Sequence, residues 1–304
     1  MIKYMVKRLV QIVPVLFIVS FAVFILVYVA GDPTATMLPP EATDADRATL
    51  REALGLGKPV LEQYRLFLFN MLRGDFGQSF RYREDALKIV LERMPASLEL
   101  ASFSLFLAVI IAIPLGIISA QSGNSKLDVV IEGLSVLGRT MPSFWVGIML
   151  ILLFAVTLRW LPVSGRGTSL HVVLPCMTLA FATSAQIVPL MRSSMLDIMH
   201  EDYIRTAKSK GLSQQVVIFK HALKNALLPV VTIVALQIPN LIGSSLITET
   251  VFAWPGLGLL MVQAINGRDM CIVQACIMII TLITIVTNLI ADLVYCLIDP
   301  RIKL

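Results

Sequence analysis

Six stretches of this chain reach or approach the ~20 uncharged residues that cross ~30 Å of hydrocarbon. They are Leu9 to Ala30, Leu100 to Ala120, Met141 to Leu158, Val172 to Met191, Leu227 to Thr248 and Met270 to Ala291, and none contains Asp, Glu, Lys, Arg or His. Charged residues make up 15% of the 304 positions, against about 25% in an average soluble domain. The pattern predicts an all-α polytopic protein: six transmembrane helices in one integral membrane domain over residues 1–304.

The first stretch follows Met1, Lys3, Lys7 and Arg8, as a secretory signal would. It exceeds the 7 to 15 apolar residues of a signal core, and Tyr28 spoils the small-residue cleavage pattern ending at Ala30, so it reads as a retained helix. Lys and Arg in short loops stay on the cytoplasmic side. With the N-terminus inside, the inner segments hold Lys3, Lys7, Arg8, Lys126, Arg192, Arg205, Lys208, Lys210, Lys220, Lys224, Arg301 and Lys303, and the short outer loops hold only Arg159, Arg166 and Arg268. Both termini are therefore expected in the cytoplasm. The net charge of +5 reflects orientation and attraction to anionic headgroups; nucleic acid is not implied.

The outer insertion, residues 31–99, has helix punctuation. Thr43 can cap a helix from Asp44 to Leu54 ended by Gly55, and Pro59 at a first helical position opens another that Gly74 closes. In the second, Val60, Leu61, Tyr64, Phe67, Leu68, Met71 and Leu72 recur at helical spacing, a face expected to pack on the membrane surface or on a neighbouring subunit.

The basic segment between the fourth and fifth apolar stretches, within residues 192–226, is punctuated in the same way. Glu201 to Lys210 reads as a short helix. Gly211 suits the left-handed position after it, Ser213 can cap the next helix, and Leu212 with Val217 has the spacing of a hydrophobic staple. Two helices with a defined hinge would make a folded cytoplasmic knuckle. Periodicity alone leaves two roles open, a topology anchor and a rigid lever for a partner.

Several chemistries lack their residues. The Gly-Lys pair Gly57-Lys58 precedes Pro59 and has no upstream glycine, so no phosphate-cradling loop is formed and the chain is not expected to bind ATP itself. No acid or histidine sits mid-membrane, where an ion-coupled carrier places its coupling group. Glu99, Arg139, Arg192, Glu249 and Asp292 lie at or near helix ends, where snorkelling or interfacial water can serve them. His171, His200 and His221 complete no nucleophile, base and orienter set, and Cys176, Cys271, Cys276 and Cys296 read as small apolar side chains without metal spacing. A self-sufficient channel or carrier and a membrane enzyme are the competing classes, and each lacks its signature. Gln237, Asn240, Ser244 and Thr248 share a face of the fifth helix beside Pro239, which should bend it. They could be helix-to-helix hydrogen bonds or a water-lined path.

The motifs add to this reading. "DYIRTAKSKGLS" followed by "HALKNALLPVVT" resembles the cytoplasmic EAA-loop signature of binding-protein-dependent ABC importer permeases, in the form of the dipeptide, oligopeptide and nickel group. "GDP" at Gly31, "RGDFGQSF", "MPSFWVGIMLILLF", "RWLPVSG", "ETVFAWPGLGLLMVQAINGRD" and "DPRIKL" occur in that group's order. Arg205-Thr206-Ala207 stands where the general consensus has Glu-Ala-Ala, and Met270-Cys271 where the group has Tyr-Pro.

The resemblance implies a type I ABC importer transmembrane domain in a bacterial inner membrane. Its partners would be a second homologous permease, two ATPase subunits and an extracytoplasmic solute-binding protein, with ATP and Mg²⁺ on the ATPases and no cofactor on this chain. The solute would be a di- or oligopeptide, with glutathione-like peptides, nickel or another small solute as alternatives. Glu201, Asp202, Tyr203, Ile204, Arg205, Ala207, Lys208, Lys210, Gly211, Leu212 and Ser213 would form the ATPase contact: Tyr203, Ile204 and Ala207 packing on its surface, the basic residues meeting its acceptors, and Gly211 setting the hinge. Asp32 to Glu99 and Ala253 to Gly258 would receive the binding protein.

Overall fold

The computed structural model describes residues 2–29, 43–45, 48–49, 57–123 and 125–298. Among these the chain is helical: α1 (Ile2–Val29), α2 (Val60–Leu72), α3 (Ala86–Ser122), α4 (Lys126–Thr140), α5 (Ser143–Leu150), α6 (Val173–Met199), α7 (Asp202–Ser209), α8 (Gln214–Val251), α9 (Leu257–Asn266) and α10 (Met270–Ile298). The expected helix from Asp44 to Leu54 and its stop at Gly55 lie largely outside the described residues.

Among the described residues, four helices are long and apolar enough to cross a membrane: α3, α6 with its preceding 3₁₀ turn, α8 and α10. A fifth span arises if α4 and the α5 segment, bent by 112° at Met141 and Pro142, count as one; α1 carries the shorter apolar stretch Val10–Leu26. The apolar stretches misplace several boundaries. The one expected from Leu100 is the later part of a helix that starts at Ala86. The one expected from Leu227 belongs to a helix that starts at Gln214, in the knuckle itself. Hydropathy registers where lipid contact begins, whereas hydrogen bonding lets a helix continue well past it.

The chain divides into two compact units, Met1–Pro95 with Gly256–Ile285, and Ala96–Pro255 with Val286–Leu304. In the first unit α2 docks on α1 through Tyr64, which is buried with its hydroxyl 3.0 Å from Ser20 Oγ and its ring edge-on to Phe17 and Phe21. The apolar face of α2, expected to meet the membrane surface or a neighbouring subunit, is thus divided, with part of it packed on this chain. Tyr64, Phe67, Leu68 and Met71 turn inward, while Val60, Leu61 and Leu72 stay exposed. Pro59 sits one position earlier than expected, at the N-cap, and Gly74 takes a φ of +79° just past the helix end. A second core joins Phe76, Ala86, Ile89 and Val90 to Leu257, Leu260 and Ile272.

The second unit is built around α6. Small residues let its neighbours approach closely. A Cβ on Gly116 of α3 would lie 2.5 Å from Met191 Cβ, and one on Gly138 of α4 would lie 2.6 Å from Ala185 Cβ. One core gathers Ala112, Ile131, Ile187, Met191, Met195, Ile204, Val217, Ile218 and Ala226 at one end of α6. Another gathers Ala96, Leu100, Cys176, Leu179, Leu241 and Trp254 at the other. The indole N–H of Trp254 donates to the Ala96 carbonyl at 2.8 Å. Trp254→Phe is expected to lower stability by ~1 kcal/mol, the usual net worth of one neutral hydrogen bond, read as a lower unfolding temperature in detergent.

A candidate coupling surface

The helix α7 is amphipathic over two turns. Its N-cap residue, Glu201, has an extended backbone (φ −66°, ψ 147°) and makes no side-chain cap; its carbonyl accepts from the Ile204 and Arg205 amides at 3.0 and 3.2 Å. Asp202 in the first turn and Lys208 in the last oppose the helix dipole favourably. Ile204 and Ala207, three apart, face inward at 0% and 7% exposure, while Glu201, Asp202, Tyr203, Arg205, Lys208 and Lys210 face outward.

This divides the expected contact surface. Ile204 and Ala207 anchor α7 to this chain's own core and cannot also pack on an ATPase; Tyr203, 40% exposed, stays on the outside. Its hydroxyl accepts from Asn225 Nδ2 at 2.7 Å, tying α7 to α8.

Gly211 adopts φ +77°, as its position after the helix predicts, and donates to the Lys208 carbonyl at 3.0 Å. Ser213 occupies the N-cap of α8 without a side-chain cap bond, and its carbonyl accepts from the Val217 amide at 3.1 Å. The expected staple is not what fixes the angle. Val217 is fully buried in the core that also holds Ile204, whereas Leu212 is 39% exposed. Nor is the second knuckle helix separate: it passes through a π-helical stretch, Val217–Ala222, into the rest of α8. The extra residue per turn rotates the side-chain sequence and brings Val217, Ile218 and Ala222 onto the core.

The outward face is cationic. Arg205, Lys208, Lys210, Lys220 and Lys224 are exposed, and Arg205 is paired with Asp202 at 3.6 Å, with the two side chains 71% and 97% exposed. An exposed pair of that kind contributes at most ~1 kcal/mol, so these cations can exchange it for a partner's acceptors.

The polar stripe of α8 does not form one surface. Gln237 and Thr248 are buried, Asn240 and Ser244 exposed. Gln237 Nε2 donates to Gln186 Oε1 of α6 at 2.7 Å, and Asn240 Nδ2 lies 3.5 Å from Gln237 Oε1. Gln186 was not singled out in the sequence because nothing sets it apart from the other uncharged polar residues of its stretch, Thr178, Thr183 and Ser184. Glu249 also departs from expectation: it is fully buried, accepting from Ser245 Oγ, rather than resting in interfacial water.

Arg192, expected to snorkel, instead forms a two-point ion pair. Its Nε and Nη2 donate to the two carboxylate oxygens of Asp128 at 2.8 and 2.7 Å. At the far end of α6, Arg166 pairs with Glu99 and stands over the Trp254 ring at 5.5 Å, beside a cavity of about 480 Å³ that Phe103, Thr168, Ser169 and Val172 also line. His171 closes a capping box with Thr168, and His200 Nδ1 lies 2.7 Å from the Leu196 carbonyl, ordinary structural roles for both.

Residues 112–304 match the family of binding-protein-dependent transport system inner membrane components, and residues 1–101 match its N-terminal component. The chain belongs to that family. Relatives extend over its whole length. It is 39% identical to the oligopeptide transport system permease protein AppB of Bacillus subtilis strain 168, covering all of both chains. It is 37% identical to the dipeptide transport system permease protein DppB of Alkalihalophilus pseudofirmus, again over all of both. It is 39% identical to the glutathione transport system permease protein GsiC of Escherichia coli K12, over all of this chain and 99% of the other. Among solved structures, the inward-facing MetNI methionine ABC transporter matches with a TM-score of 0.58 at 17% identity, over 69% of this chain and 96% of that one. An amino acid ABC transporter matches at 0.53 and 13%, over 68% and 93%. These two show the fold alone, one shared with the membrane chains of ABC transporters.

The chain is thus a multi-pass permease component of an ABC importer, and ATP hydrolysis belongs to separate subunits of such systems. An ATPase and a solute-binding protein are the partners its family implies.

Proposed function

We propose that this permease forms half of the translocation path for di- or oligopeptides in a bacterial inner membrane. It would work with a second homologous permease, two ATPase subunits and an extracytoplasmic binding protein, and be driven through the α7 knuckle. The observation that carries the coupling role is the construction of α7: two inward residues seat it on the core while its cationic outer face stays exposed. A topology anchor needs only the charges. A helix wedged into the core that also holds Met191 and Met195 of α6 and Val217 of α8 can transmit displacement, because energy passes between subunits through stiff two-state contacts.

The peptide assignment rests on the oligopeptide, dipeptide and glutathione permeases that match along the full length. The Gln186, Gln237 and Asn240 amides would line part of the path, offering peptide-like donors and acceptors between α6 and α8. With the knuckle and both termini in the cytoplasm, the Arg166 and Glu99 end of α6 would face outward, since a 27-residue helix spans ~40 Å.

The test is purification of the detergent-solubilised permease from its native membrane, followed by reconstitution with the subunits that accompany it. Recovery of two ATPases and a second permease, with ATP-dependent uptake of a labelled dipeptide presented by the binding protein, supports the proposal. Solute movement by the chain alone without ATP overturns it. ATP-driven uptake of nickel but not peptide would replace the solute and keep the rest.

A further inference from the structure

The strongest feature outside the knuckle is the bond between α4 and α6. Asp128 is 3% exposed and is held from three sides. Arg192 grips both oxygens, Ser119 at the end of α3 donates to Oδ1, and Ser125 caps its amide at 3.3 Å. Glu132, one turn along α4, lies 3.7 Å from Arg192 Nε. A two-point guanidinium–carboxylate contact fixes direction as well as distance, and separating a buried pair strands a charge. Ten residues further along α4, Gly138 brings its backbone against Ala185 of α6, so the two helices are fastened at both ends of their contact.

The location matters. Arg192 lies seven residues before Met199, where α6 ends and the knuckle begins, or ~10 Å along the axis. The helix α4 leads through Met141 and Pro142 into α5 at 112°.

We propose that Arg192 and Asp128 are positioning residues that lock α4 to α6, so that a displacement entering at the knuckle carries α4 and its elbow with α5 along with α6 as one body. The proposal rests on the coupling role given to the knuckle. Without the lock, α6 would slide past α4, and ATP hydrolysis would turn over without moving the elbow.

The experiment uses the assembled transporter in nanodiscs, in a background lacking the chain's cysteines, with nitroxide labels at Val129 of α4 and Asp197 of α6, both exposed. The interlabel distance is measured by pulsed electron resonance without nucleotide and with a non-hydrolysable ATP analogue. In the parent the distance is expected to be the same in both states. Arg192→Gln and Asp128→Asn should broaden the distribution and lower uptake per ATP hydrolysed at least about fivefold, the lower end of coupling between linked sites. Arg192→Lys, which keeps the charge but gives up the fork, should fall between. A nucleotide-dependent change of about one helical turn, ~5.4 Å, in the parent overturns the lock. So does wild-type coupling in both neutral variants, and so does a proportional fall in uptake and hydrolysis, which marks a merely structural pair. If Arg192→Gln fails to assemble, the parent distances and Arg192→Lys still decide. Failure of the knuckle's own role would show separately, as unimpaired ATP-coupled uptake in Gly211→Val with the α4–α6 distance unchanged.

Discussion

Gly211→Val is expected to leave the permease in the membrane at its normal level and to cut ATP-coupled uptake about tenfold or more. Gly211 holds φ +77°, where a β-branched residue is a severe outlier, and even an unbranched residue loses roughly 1–2 kcal/mol. The objection is conformational, because a Cβ built there meets nothing within 4 Å. Valine therefore leaves the core packing alone and makes the backbone rotate instead. Since Gly211 separates the end of α7 from the start of α8, that rotation swings the cationic face of α7 away from its partner. A loss of ~1.4 kcal/mol in a productive contact is tenfold. Asparagine tolerates the left-handed region, so Gly211→Asn should retain most transport. The measurement is dipeptide uptake in proteoliposomes, normalised to permease content. Equal activity in the two variants would mean the hinge does not carry the coupling.

What could be read from the sequence divides along physical lines. The apolar stretches show where lipid is met, and Gly74 and Gly211 were legible because left-handed backbone after a helix selects glycine. Helix length was not legible: α3 and α8 continue past their apolar stretches through Ala86 to Glu99 and Gln214 to Ala226, where side chains are mixed but backbone bonding goes on. The inward direction of Ile204 and Ala207 was available from their spacing, yet spacing does not say whether a helix's apolar face meets its own chain or another. The bond between Asp128 and Arg192, 64 positions apart, leaves no local trace, nor does the pairing of Gln186 with Gln237. Gly116 and Gly138 were silent for the same reason: a glycine inside a helix is a cost, and only the neighbouring helix shows what offsets it.

That last point leads to the largest expected effect on stability. Gly138→Val in α4 should lower folding stability by about 3 kcal/mol, the upper end for forced overpacking, visible as early loss of the monodisperse peak when the detergent-solubilised permease is heated. The added Cβ would sit 2.6 Å from Ala185 Cβ and 3.2 Å from the Phe181 carbonyl, and neither neighbour can turn aside by changing rotamer. The helices must then separate by an ångström or more, and the separation reaches Ser135, Ile131 and Asp128, which share the buried face of α4. Gly133 in the same helix supplies the control. It is exposed and a Cβ there meets nothing within 4 Å, so Gly133→Ala should gain ~0.5–1 kcal/mol from helix propensity and a less flexible unfolded chain. Gly138→Ala brings the same Cβ against Ala185 and should lower the midpoint, whereas Gly133→Ala raises it. If Gly138→Ala rises as well, α4 does not approach α6 as closely as the Ala185 contact requires, and the lock between Asp128 and Arg192 loses its second point of attachment.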